Sequence, residues 1–135
     1  MASAAETNTG VIHRVHTPGS WDRIYQAAGD RKLIVVAFSA TWCGPCRRME
    51  PELTALAEEF RDVWFVKIDV DAARGQIQAV ESVRSLPSYV LIRGEKQVEA
   101  MKGAHSEQLR ELIEKHRVPP PAPAPVPALT SDSSP

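Results

Sequence analysis

The stretch Ala40-Thr41-Trp42-Cys43-Gly44-Pro45-Cys46 decides the reading of this chain. It holds both cysteines of the protein, with an aromatic residue before the first and Gly-Pro between them. Upstream, Leu33–Ser39 is an almost continuous apolar run, as expected of a strand covered on both faces. Downstream, Arg47–Phe60 reads as a helix, with Met49, Leu53, Leu56, Ala57 and Phe60 on one side. A Cys-x-x-Cys pair between a strand and a helix start brings the first sulfur to unpaired backbone N–H groups and to the positive end of the helix dipole. That setting favours thiolate over thiol, and thiolate is the attacking species in disulfide exchange. The second sulfur is then near enough to close a small ring with the first.

Working outward, 135 residues suffice for one domain with a real core and some tail. A hydrophobic share of 43% with 24% charged residues belongs to an ordinary soluble domain. A net charge of −1 gives no footprint for nucleic acid or a membrane surface, so neither is expected as a partner. No apolar run approaches the roughly 20 residues that cross a bilayer. Met1–Gly10 lacks the basic and apolar regions of a signal peptide. With Glu6 and no basic residue before Arg14, it does not read as a mitochondrial transit segment either. Cytoplasmic placement is the expectation. In a reducing compartment a cysteine pair serves catalysis or metal binding rather than structure. Zinc takes four ligands and one pair supplies two. His13, His16, His105 and His116 show no ligand spacing to the cysteines, so no metal is expected.

Three regions emerge. Residues 1–10 read as a flexible lead-in and residues 11–117 as the domain. Residues 118–135 carry seven of the eleven prolines and read as a disordered tail. In the domain, Val11–Val15 is a first strand. Thr17-Pro18 caps and opens a helix, with Trp21, Ile24, Tyr25 and Ala28 on one face and Gly29 as its stop. Leu33–Ser39 is the second strand. In the helix that follows, Pro51 removes a backbone donor. Val63–Val70 is a third strand, and Ala73, Ile77 and Val80 suggest a short helix weakened by Gly75. Ser88–Arg93 is a fourth strand, Gly94-Glu95 a turn and Gln97–Met101 a fifth strand. Ser106 then caps a last helix bearing Leu109, Leu112, Ile113 and His116 on one face. This order predicts an α/β domain whose mixed sheet has helices on both faces, the parallel part first and a hairpin last.

Trp42-Cys43-Gly44-Pro45-Cys46 is a far more specific signal than a bare Cys-x-x-Cys. Phe38 precedes it in the strand and Pro51 follows it in the helix. Pro87, Lys67, Asp69, Gly94 and Gly103 complete a pattern that resembles the thioredoxin family over roughly Val11 to Arg117. The resemblance implies the thioredoxin fold, α/β with a central mixed five-stranded sheet flanked by four helices. It implies a cytosolic thiol–disulfide oxidoreductase that reduces protein disulfides, with Cys43 as nucleophile and Cys46 resolving the mixed disulfide. Trp42, Gly44, Pro45 and Lys67 would support that pair. Trp42, Leu86, Pro87 and Gly103 would bind substrate, with Pro87 in the cis form and the Leu86 backbone free to pair with an extended strand. The implied partners are disulfide-containing proteins and a thioredoxin reductase passing electrons from NADPH. No bound cofactor is expected, and the chain would act as a monomer.

Several points stay open on the sequence. The family usually carries a buried aspartate just before Phe38, thought to exchange a proton with the second cysteine. Here that residue is Ala37. A redox-slow binding module using the same groove is therefore the alternative function. An oxidase or isomerase of secreted proteins is opposed by the Gly-Pro pair. Without an acid at Ala37, the Lys67 ammonium must reach water or a sulfur. Arg47 and Arg48 either add positive charge near the thiolate or form a solvated helix face. Arg117, Pro120 and Pro123 fit an Arg-x-x-Pro-x-x-Pro spacing, although proline-rich segments give such matches easily and a plain appendage is the simpler reading.

Overall fold

A strand with seven consecutive buried residues, β2 (Leu33–Ser39), sits at the centre of the molecule. A computed structural model of the chain describes residues 11–94 and 96–117. The other strands are β1 (Ile12–Arg14), β3 (Trp64–Asp69), β4 (Ser88–Arg93) and β5 (Lys96–Lys102). They form one five-stranded sheet in the order β1-β3-β2-β4-β5. β1 and β2 run parallel to β3, β4 is antiparallel to β2, and β5 is antiparallel to β4. This is the mixed sheet with a terminal hairpin that the sequence predicts. Gly94, at φ 64, makes the left-handed turn between β4 and β5.

Side chains of β2 alternate between two cores. Leu33, Val35 and Ala37 pack with Met49, Leu53 and Leu56 of α2 (Gly44–Glu59) and with Leu109 and Ile113 of α4 (Ser106–His116). Ile34, Val36 and Phe38 meet Trp21, Ile24 and Tyr25 of α1 (Pro18–Ala28) and Val70 and Ala73 of α3 (Val70–Ala73). Two apolar faces explain why the strand reads as an unbroken apolar run. Thr17 and Ser20 close a capping box at α1, as the Thr17-Pro18 signal implies. Two bidentate pairs, Arg110 with Glu59 and Arg117 with Asp62, tie the last helix to the far end of α2.

Three local expectations change. α2 starts at Gly44 rather than Arg47, because the sulfur of Cys43 itself caps it. The predicted helix around Ala73–Val80 is two pieces. Asp69 accepts N–H bonds from Asp71 and Ala72 and so starts α3 at Val70, and Gly75 at φ 78 follows its single turn. The chain then resumes as a 3-10 turn over Gln78–Ser82. At the last helix the cap position is His105, which makes no side-chain cap bond, and Ser106 is the first helical residue. The lead-in, the proline-rich tail and Glu95 of the expected turn lie outside the described residues.

Candidate active site

Cys43 has extended backbone, φ −90 and ψ 110, which turns its side chain onto the open end of α2. Its Sγ accepts the backbone N–H of Cys46 at 3.2 Å, and its carbonyl accepts the N–H of Arg47 at 3.2 Å. Pro45 lies in the first turn, where a missing N–H leaves no bond unmade. The two Cα atoms are 5.2 Å apart and the sulfurs are joined as a disulfide. Both cysteines are buried, at 6% and 4% exposure, so exposure alone does not distinguish them. Their surroundings do. Cys43 opens on a groove of about 690 Å³ walled by Trp42, Val70, Arg74, Val83 and Leu86. Cys46 backs onto a cleft of about 10 Å³ closed by Ala37, Leu53, Pro87, Tyr89, Glu50 and Lys67.

Trp42 is 66% exposed, yet it is anchored. Its indole N–H donates to Asp71 Oδ2 at 2.7 Å. Asp71 belongs to the turn that Asp69 caps, so the end of β3 indirectly fixes the groove's aromatic rim. Arg47 donates to the carbonyl of Thr41 at 2.6 Å, bracing the loop before Trp42 rather than facing only solvent. Arg48 is exposed. The Leu86-Pro87 bond is cis, as the resemblance implies. Leu86 stands in the groove wall, while Pro87 is buried on the cleft side. Gly103 lies behind Pro87, whose carbonyl accepts its N–H at 2.9 Å. At φ 96, a Cβ there would meet the His105 ring at 2.8 Å, so the position excludes any side chain.

Ala37 is 4% exposed and pairs with Lys67 on one side and Tyr89 on the other. The Lys67 ammonium reaches neither a sulfur nor water alone. It donates to Glu50 Oε2 at 2.6 Å. The Lys67 side chain is 12% exposed and that of Glu50 is 51% exposed. The Lys67 hydrogen bond holds the Glu50 carboxyl below its ordinary range, against a smaller opposing effect of burial, with Arg14 and Arg47 adding to the lowering. Burial pushes the Tyr89 phenol up to about 12. Among the described residues no group of three or more His, Cys, Asp or Glu is arranged to hold a metal ion. No described helix is long and apolar enough to cross a membrane.

The thioredoxin family profile matches residues 13–115. This chain belongs to the thioredoxin family. It is similar to thioredoxin H2-1 of Oryza sativa subsp. japonica, 36% identical over 83% of this chain and 81% of that protein. The thioredoxin of Geodia cydonium is 35% identical over 79% of this chain and all of its own length. Among solved structures, thioredoxin NaTrxh of Nicotiana alata superposes with a TM-score of 0.73 at 38% identity, covering 79% of this chain and 93% of that one. Thioredoxin f2, solved in complex with ferredoxin:thioredoxin reductase, gives 0.71 at 29% identity, covering 80% and 96%. The mixed five-stranded sheet with four described helices is thus the thioredoxin fold. As a thioredoxin with a redox-capable cysteine pair, this chain is a protein-disulfide oxidoreductase.

Within that thioredoxin frame, the sequence-predicted residues fall into two groups. Trp42, Cys43, Gly44, Pro45 and Leu86 share the groove, whereas Cys46, Lys67 and Pro87 share the cleft. Gly103 lines neither. Glu50 and Asp71 were not singled out from the sequence. Glu50 carries a faint signal, since it lies four residues after Cys46 and hence on the same helix face. Asp71 carries none, because its partner is 29 residues away.

Proposed function

We propose that this thioredoxin is a cytosolic reductase of protein disulfides, with Cys43 as the attacking residue and Cys46 as the resolving one. Cys43 thiolate attacks one sulfur of a substrate disulfide, forming a mixed disulfide and releasing the other sulfur as thiolate. Cys46 then attacks Cys43, and the substrate's remaining sulfur leaves with the electron pair of the broken bond. The observation that carries this order is that Cys43, not Cys46, caps α2 and borders the open groove. A thiolate there accepts a backbone N–H at the positive end of a helix of 16 residues. Trp42 and Leu86 form the groove walls for an extended substrate segment, with Pro87 beneath and Gly103 supporting Pro87 from behind.

The disulfide drawn between Cys43 and Cys46 is the product state of this cycle, and a thioredoxin reductase returns it to the dithiol. The structural relative crystallised with ferredoxin:thioredoxin reductase supports a partner of that class. Cytosolic placement is supported by the paired cysteines being the only two in the chain, which suits a reducing compartment. A reductase-coupled insulin-reduction assay tests the proposal on wild type and Cys46→Ser. Sustained turnover of the wild type and its loss in the variant is the expected result. The second reading, a redox-slow binding module, is favoured by one observation: β2 offers no acid beneath Cys46, only Ala37. Tight substrate binding without turnover in the same assay would select it.

A further inference from the structure

We propose that Glu50, held in place by Lys67, takes the proton from Cys46 when the mixed disulfide is resolved. The inference rests on the reading that Cys46 is the resolving cysteine. Before it can attack, its thiol must lose a proton, and at 4% exposure it has little access to bulk water. The acceptor must therefore lie in the cleft behind it. Ala37, Phe38, Met49, Leu53 and Pro87 offer no side-chain acceptor there. The titratable side chains are Glu50, Lys67 and Tyr89. An ammonium has no acceptor site, and a phenol pushed up to about 12 is a neutral donor. Glu50 is the carboxylate of the set. It sits one helical turn beyond Cys46, and Lys67 pins it at 2.6 Å. The cleft, about 10 Å³, is close to what one water molecule needs, which is the span of a one-water proton relay.

The step balances. The Cys46 proton passes to the Glu50 carboxylate, and the sulfur's electron pair forms the Cys46–Cys43 bond. The Cys43–substrate bond breaks, and its electron pair leaves on the substrate sulfur. Glu50 then returns its proton to that thiolate or to solvent, through a carboxyl that is half exposed. The enzyme dithiol is oxidised and the substrate disulfide reduced. Charged groups surround Glu50 on every side. Lys67 and Asp69 lie on β3, Arg14 on β1, His16 just after β1, and Arg47 on its own helix. Cations outnumber anions in this set, so the carboxylate is ionised and ready to accept across the neutral range. The acid that thioredoxins usually place on β2 is, in this chain, supplied from the facing helix.

The test follows single turnover of the full chain with a disulfide-bonded protein substrate, timing formation and decay of the mixed disulfide separately. Wild type, Glu50→Gln and Glu50→Gln/Ala37→Asp are compared over a range of pH, with melting curves for each. In Glu50→Gln the first attack should keep its rate, while decay near neutral pH slows by about tenfold or more. Its decay should also rise about tenfold per pH unit, as hydroxide replaces the lost acceptor, where wild type is flatter. Ala37→Asp should restore the neutral rate by supplying a carboxylate from β2. Unchanged decay with an unchanged pH profile in Glu50→Gln overturns the inference alone. Slowing of both steps together, with no change in pH slope, marks a structural loss and also overturns it. Absence of any mixed disulfide on wild-type Cys43 overturns the functional reading and this inference together.

Discussion

Cys43 and Cys46 are separated by two residues and buried to nearly the same degree, yet one borders an open groove and the other a closed cleft. The groove is large, walled by an anchored indole and by Leu86, and shaped to admit a chain segment. The cleft is about the size of one water and is bounded by apolar β2 and β4 on one side and the Glu50–Lys67 pair on the other. Roles in a two-cysteine site are therefore set by what each sulfur faces, not by how much of it is exposed. The first sulfur meets substrate and backbone donors. The second meets only the groups that decide when it may attack.

The strongest way to break this contrast is to remove each sulfur in turn. Cys46→Ser should accumulate mixed disulfides with substrate proteins, and Cys43→Ser should accumulate almost none. Non-reducing gels of trapped adducts read the difference, and equal trapping would show that both sulfurs reach substrate. The next largest effect concerns the cleft. Ala37→Asp should cost about 1–3 kcal/mol of stability, because an acid enters a buried strand position with incomplete hydrogen bonding. Denaturant unfolding measures it. A cost near zero would mean that the new carboxylate reaches Lys67 and that the cleft is less closed than described.

On the groove side, Asp71→Ala frees the Trp42 indole. The bond lost is exposed, so stability should fall by no more than about 1 kcal/mol. The KM for a protein disulfide should rise several-fold with kcat nearly unchanged, and steady-state assays separate the two. An unchanged KM would remove Trp42 from substrate contact. The smallest effect is a control on the pH arguments and comes from outside both regions. His13 stacks on Trp64 at 5.1 Å, and its Nε2 is buried without a hydrogen-bond partner among the described residues. Burial lowers its pKa from the ordinary 6.5, so folding favours the neutral ring. Its contribution is full above pH 6.5 and is lost as pH falls through the lowered folded value. Melting temperature should drop by a few degrees on that descent. His13→Phe keeps the stack and should flatten the curve, leaving the pH profile of mixed-disulfide decay as it was.

Local sequence determined a good deal. The unbroken apolar run Leu33–Ser39, the Trp42–Cys46 motif and the helical spacing after it state strand, cysteine turn and helix, because each signal is carried by neighbours in the chain. The Thr17-Pro18 cap is legible for the same reason. The tertiary structure decided whatever depends on residues distant in sequence. Asp69 starts a helix earlier than apolar periodicity suggests, since a side-chain cap overrides a weak pattern broken by Gly75. Gly103 is required by the ring of His105 and held by Pro87, neither of which a turn signal names. Most of all, sequence left Lys67 with water or a sulfur as partners, and the fold gave it Glu50, 17 residues away. That pairing exists only because β3 lies beside β2 with Lys67 opposite Ala37, while α2 crosses the same end of the sheet with Glu50 one turn below Cys46. A buried ammonium takes the nearest carboxylate that packing brings within reach, and packing is a property of the folded chain, not of any one segment of it.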